Sequence, residues 1–84
     1  IIMVKFRVVI LDDSDKIKEV VYESKEYKDQ WDSNWSNDEY EMLIELDKKY
    51  NLTDWENAPY LKTQIFENGE WYFYSNTIED WFNL

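Results

Sequence analysis

Residues 29–47, DQWDSNWSNDEYEMLIELD, hold seven carboxylates and no lysine or arginine, with Trp31, Trp35 and Tyr40 set among the acids. Carboxylates at that density can work on a substrate as acid and base, ligate a hard cation, or recognise a positively charged surface. Acid–base hydrolysis needs two carboxylates across a cleft, one with its pKa raised by burial, and a chain of 84 residues has little room for one. The chain has no His and no Cys, so the commonest general base, the commonest metal ligand and every thiolate are absent. No nucleophile–base pair, Gly-rich phosphate loop or metal-ligand spacing is present. The expectation is a protein with no catalytic residue, no metal and no cofactor.

Cation ligation has one superficial candidate, residues 12–23, DDSDKIKEVVYE, in which Asp12 and Glu23 hold the first and twelfth positions of a calcium loop. The sixth position of such a loop needs Gly for its sharp turn, and here it is Ile17; the fifth and seventh are Lys16 and Lys18, which repel a cation. The segment reads as a solvated hairpin turn.

Recognition of a positive surface remains. Residues 1–28 contain six bases and six acids, whereas residues 29–84 contain three bases (Lys48, Lys49, Lys62) against thirteen acids, so the net charge of −10 sits wholly on the later part. Solubility explains a uniformly acidic surface; a segregated one points to a partner. Direct nucleic-acid binding is excluded as an expectation, because such proteins lean on Lys and Arg and this field repels phosphates. A neutral glycan stacking on exposed aromatics is a weaker option.

The elements that would position these residues follow from local pattern. Val4, Phe6, Val8 and Ile10 alternate with Lys5 and Arg7, the period of a half-buried strand. After the polar turn at 12–16, residues 17–23 resume β-branched and aromatic content, which predicts an antiparallel hairpin, with Val20-Val21-Tyr22 breaking alternation as a bulge would. Ser36 with Glu39 three residues on reads as a capping box, opening a helix over 36–50 whose last turn holds Lys48 and Lys49 and whose αL cap is Asn51. In that phase Tyr40, Leu43, Ile44, Leu46 and Tyr50 are buried, and Asp38, Glu41 and Glu45 face solvent. Residues 24–36 read either as a helix, with Tyr27, Trp31 and Trp35 on one buried stripe, or as a loop; the Asp, Ser and Asn content favours the loop, with Trp35 stapled onto Tyr40 at the helix entry and Trp31 left partly exposed. TDWE (53–56) predicts a single turn before Pro59. Strands over 60–66 and 71–75 flank Asn68-Gly69, the strongest short hairpin signal, and NTIEDWF (76–82) predicts a short closing helix. In the last strand Trp71 and Phe73 point to one sheet face and Tyr72 and Tyr74 to the other.

The expected fold is therefore a single α+β domain over 1–84, two antiparallel β-hairpins in ββαββα order packed on one main amphipathic helix. No apolar run reaches the roughly 20 residues of a membrane span, and the start, with Lys5 and Arg7 inside its apolar run, reads as a strand rather than a signal peptide; a cytoplasmic location is expected, that of the host if a phage encodes the chain. The expected activity is that of a small acidic inhibitor acting by DNA mimicry on a basic nucleic-acid-binding protein, a nuclease or defence complex. Phage- and plasmid-borne antagonists of restriction enzymes and CRISPR nucleases include proteins of this size and charge, an analogy of composition alone. The expected contacts are Asp29, Trp31, Asp32, Asp38, Glu41, Glu45, Asp54 and Glu56. Two other readings share the composition: an immunity protein that neutralises a cognate basic nuclease toxin, and a structural module that dimerises through the Tyr72/Tyr74 sheet face.

Overall fold

The computed structural model describes residues 3–54 and 56–74. Among them the order is β1 (Lys5–Leu11), β2 (Ile17–Glu23), α1 (Ser33–Tyr50), β3 (Leu61–Glu67) and β4 (Glu70–Tyr74). The closing helix expected over 76–82 lies outside the described residues, so the observed order is ββαββ.

The four strands make one antiparallel sheet in the order β2-β1-β3-β4. The two hairpins lie side by side with β1 and β3 at the centre, and α1 carries the chain from the β2 edge across to β3. Both hairpins follow from local chemistry. Asp12 Oδ1 accepts from the backbone N–H of Ser14 (2.8 Å) and of Lys16 (3.0 Å), so this carboxylate closes the first turn. In the second, Asn68 and Gly69 both have positive φ, 54° and 81°, as the two central residues of a type I′ turn require. The bulge expected in β2 is present: Val8 pairs with Tyr22 and Val9 with Val20, which leaves Val21 as the extra residue.

The helix differs from its expected start. Its N-cap is Asp32, whose side chain accepts from the Asn34 N–H at 2.9 Å, and the first turn holds no acid. A cap of this kind contributes about 1 kcal/mol, and a Ser36 cap would contribute as much. Burial of Trp35 decides between them. Starting at Ser33 brings Trp35 into phase with Met42, Leu43 and Leu46, the buried residues of α1. Trp35 is 2 % exposed and packs against Phe6, Tyr27 and Tyr74, with ring centroids 4.9, 5.3 and 6.5 Å away. It is thus a core residue in the first turn of the helix rather than a residue preceding the cap. The C-terminus is as expected: Asn51 has φ 52° and donates its N–H to the Asp47 carbonyl at 2.8 Å.

The core lies between α1 and one sheet face, with Phe6 and Val8 of β1 and Leu61 and Ile65 of β3 beneath the helix. Phe6 is in register with Ile65 and Tyr72, and Val8 with Thr63 and Tyr74, so Tyr72 and Tyr74 share the helix-covered face. Tyr74 is half-buried against this core, and Tyr72 stands at its edge with its hydroxyl donating to Glu70 at 2.7 Å. On this face Tyr74 meets the core and Tyr72 is 47 % exposed; Trp71 and Phe73 occupy the opposite face.

Candidate partner-binding surface

The chain before α1 is shaped by its own acids. Asp29 Oδ1 accepts from the Trp31 N–H at 2.9 Å and the Asp29 carbonyl accepts from the Asp32 N–H at 3.2 Å. This Asx turn feeds directly into the Asp32 cap. Trp31, between the two, is 82 % exposed. Asp29 and Trp31 also line a cleft of about 400 Å³ together with Val4, Lys28, Gln30, Ile65, Glu67 and Asn68. Asp32 is spent on the helix terminus, so its carboxylate is a structural group first.

Along α1 the acids divide. Glu41 and Glu45 are exposed, as expected. Asp38 is half-buried: Tyr27 Oη donates to its Oδ2 at 2.7 Å and Lys25 Nζ lies 3.5 Å from the same oxygen. Asp38 therefore ties the helix to the 24–32 segment, and burial together with this hydrogen bond raises the Tyr27 pKa. Burial also raises that of Tyr22, with the charges of Asp38, Glu45 and Glu41 adding to the effect. At a rise of 1.5 Å per residue, positions 38, 41 and 45 are spaced about 4.5 and 6 Å along the axis.

Tyr40 and Ile44, expected in the core, are instead 52 % and 42 % exposed. The buried face of α1 is centred on Trp35, Met42, Leu43 and Leu46, and these two side chains lie one turn apart on the outward surface beside Glu41 and Glu45. The sequence signal that could have found them is their phase relative to Trp35: an apolar stripe at 35, 42, 43 and 46 leaves 40 and 44 outside it.

Glu39 lies on the inward side of the helix. Its Oε2 is buried and has no hydrogen-bond partner, as is the case for Thr63 Oγ1 in β3. Burial raises the Glu39 pKa above its ordinary 4.5, and a hydrogen bond from Trp35 partly offsets this. A carboxyl whose pKa is higher in the folded chain than in the unfolded one destabilises the fold above the unfolded pKa, and the penalty disappears as pH falls through that range. Glu39→Gln is therefore expected to melt at a higher temperature than the wild type at pH 7, and the difference should close as pH is lowered through the glutamate range. Thermal melts at pH 7 and pH 3.5 check this; an equal gap at both values would show that charge burial is not the cause.

Beyond the C-cap, Asp54 is half-buried and accepts from the Asn57 side chain at 3.1 and 3.3 Å, and its carbonyl accepts from the Ala58 N–H at 2.8 Å, closing the single turn expected there. Glu56 is exposed. The eight expected contacts thus fall into three places: Asp29, Trp31 and Asp32 before the helix, Asp38, Glu41 and Glu45 on its flank, and Asp54 and Glu56 past its far end. A helix of 18 residues spans about 27 Å, so the first and last groups do not share a pocket and can share only an extended surface. Among the described residues no group of three or more candidate ligands could hold a metal ion, and no helix is long and apolar enough to cross a membrane. Comparison with protein-family models, with curated proteins and with solved structures yields no match to this chain.

Proposed function

We propose that the chain is a small acidic inhibitor that covers the basic nucleic-acid-binding surface of a nuclease or defence enzyme, a DNA mimic of the anti-restriction or anti-CRISPR kind acting in the cytoplasm. The observation that carries this reading is the exposed strip on α1. Glu41 and Glu45 lie beside Tyr40 and Ile44, so charge that can replace phosphates is interleaved with apolar groups that can be desolvated on contact. The partner-binding set then centres on Tyr40, Glu41, Ile44 and Glu45, with Trp31 and Asp29 extending it at one end and Glu56 at the other. Asp38, Asp32 and Asp54 contribute to the field while their carboxylates serve the fold. Inhibition is by occupancy, with no bond made or broken.

With a net charge of −10, association with a basic partner is steered by opposed fields, which raise on-rates by roughly one to three orders of magnitude at low salt. The Debye length shrinks from roughly 10 Å at 0.1 M to 3 Å at 1 M. The test begins with capture of partners from a lysate of the cell in which the gene acts. The captured protein is expected to be a basic nuclease or a component of a nucleic-acid-guided complex, and its association rate, followed by stopped-flow fluorescence, should fall several-fold between about 50 and 500 mM salt. A flat salt profile would replace electrostatic mimicry with anchoring by the exposed aromatics. The identity of the captured enzyme also separates a defence antagonist from an immunity protein.

A further inference from the structure

The cleft beside Trp31 has features that the acidic flank of α1 lacks. It is lined by the buried Val4 and Ile65, each 8 % exposed, and by the acids Asp29 and Glu67, the amide residues Gln30 and Asn68, and Trp31. The indole is 82 % exposed and rises from a constrained backbone, since the Trp31 N–H is fixed by Asp29 and the next residue caps α1. An exposed indole on a constrained turn is thus available to the cleft. Glu67 ends β3 directly before the Asn68-Gly69 turn, a second rigid position. Lys28 is also on the rim, but its side chain is exposed and two carboxylates outweigh it.

We propose that this cleft receives one arginine side chain of a protein partner. The methylene stem lies on Val4 and Ile65, the guanidinium plane stacks on Trp31, and its N–H groups donate to Asp29 and Glu67. Charge complementarity selects the occupant: the rim is net negative, which rejects a phosphate or a carboxylate, and the floor is apolar, which a bare ammonium does not use. Arginine fits better than lysine, because the guanidinium is planar, weakly hydrated and able to stack and hydrogen-bond at once. The inference rests on the proposed function only in that the partner is a basic protein; the chemistry of the cleft is independent of what the partner does.

The test uses the peptide N-acetyl-Gly-Arg-Gly-amide as probe, titrated into the isotope-labelled full chain at low salt and followed by the amide and indole N–H signals. Saturable shifts are expected at the Trp31 indole and at the amides of 28–31 and 67–68, with a dissociation constant on the order of millimolar, as suits a single side chain. The peptide with citrulline in place of arginine should bind at least fivefold more weakly, and the lysine peptide less tightly than the arginine one. Trp31→Ala should abolish the shifts while keeping the folded spectrum, and Glu67→Gln should weaken binding several-fold, an independent check. Equal binding of the citrulline peptide, or undiminished binding to either variant, would overturn the proposal. So would Trp31 shifts that track protein concentration rather than peptide, which would make a second copy the occupant. If reversing Glu41 and Glu45 leaves partner capture intact while the arginine probe still saturates the cleft, the mimicry reading falls and this one stands. If the probe fails while the reversal abolishes capture, only the arginine cleft falls.

Discussion

Trp35→Ala is expected to lower the stability of the domain by about 3–5 kcal/mol, and to lower the melting temperature by about 15 °C or more. Trp35 is 2 % exposed and touches three aromatic rings from three other parts of the chain: Phe6 in β1, Tyr27 before the helix and Tyr74 at the end of β4. Truncation removes the wedge between α1 and the sheet and leaves a cavity that the neighbouring rings can only partly fill. A small domain has roughly 5–15 kcal/mol in all, so the variant should sit near the edge of folding. Trp31→Ala, by contrast, should change stability by no more than about 0.5 kcal/mol, as for a surface side chain, because Trp31 is 82 % exposed. Thermal and urea melts of the two variants side by side give the result. Similar losses in both would mean that Trp31 also serves the core.

The second large effect concerns binding. Glu41→Lys combined with Glu45→Lys should weaken partner binding by well over tenfold and leave the melting temperature almost unchanged. Both side chains are exposed on the helix surface, and neither makes a hydrogen bond or ion pair among the described residues. Isolated surface charges of this kind contribute little to folding. Reversal places two positive charges where the partner's lysines and arginines would lie, and like charges facing each other across an interface cost several kcal/mol. Asp38 is left out of the pair on purpose. Reversing it would break the hydrogen bond from Tyr27, so a loss of binding would be confounded by a loss of stability. Inhibition that survives the double reversal, measured by titration against the captured enzyme, would remove α1 from the interface.

The sheet was legible in the sequence because its determinants are local. Asn68-Gly69 demands a two-residue turn, the polar run at 12–16 marks the first one, and the broken alternation at Val20-Val21-Tyr22 fits a bulge or two-sided burial, of which the bulge is the one found. The C-cap at Asn51 was legible for the same reason. The helix start was not, because two local solutions compete. Ser36 with Glu39 satisfies the capping-box pattern as well as Asp32 satisfies a plain cap, and the choice belongs to Trp35, whose partners Phe6 and Tyr74 are remote in sequence. Including Trp35 in the helix centres the buried stripe on Trp35, Met42, Leu43 and Leu46. Tyr40 and Ile44 came outside, Glu39 went inside, and a glutamate that looked like a capping group became a buried carboxyl.

The candidate surface was legible to the extent that charge alone defines it. Glu41 and Glu45 face solvent in either phase of the helix. Asp38 was misjudged because its partner Tyr27 lies eleven residues earlier, in a stretch with no regular pattern to place it. The cleft beside Trp31 was not visible at all. It is made by Val4, Trp31 and Ile65, which come together only because β1 and β3 are neighbours and the turn before α1 crosses their end.

The central claim is that this chain and nucleic acid compete for one basic surface. The most direct measurement loads the captured enzyme with a fluorescently labelled 20-base-pair duplex and titrates in the protein while anisotropy is followed. The account predicts complete displacement at stoichiometric protein, an apparent affinity that falls in proportion to the duplex concentration, and no displacement by the Glu41→Lys, Glu45→Lys variant. A ternary complex, in which the protein binds and the duplex stays at full anisotropy, would contradict it.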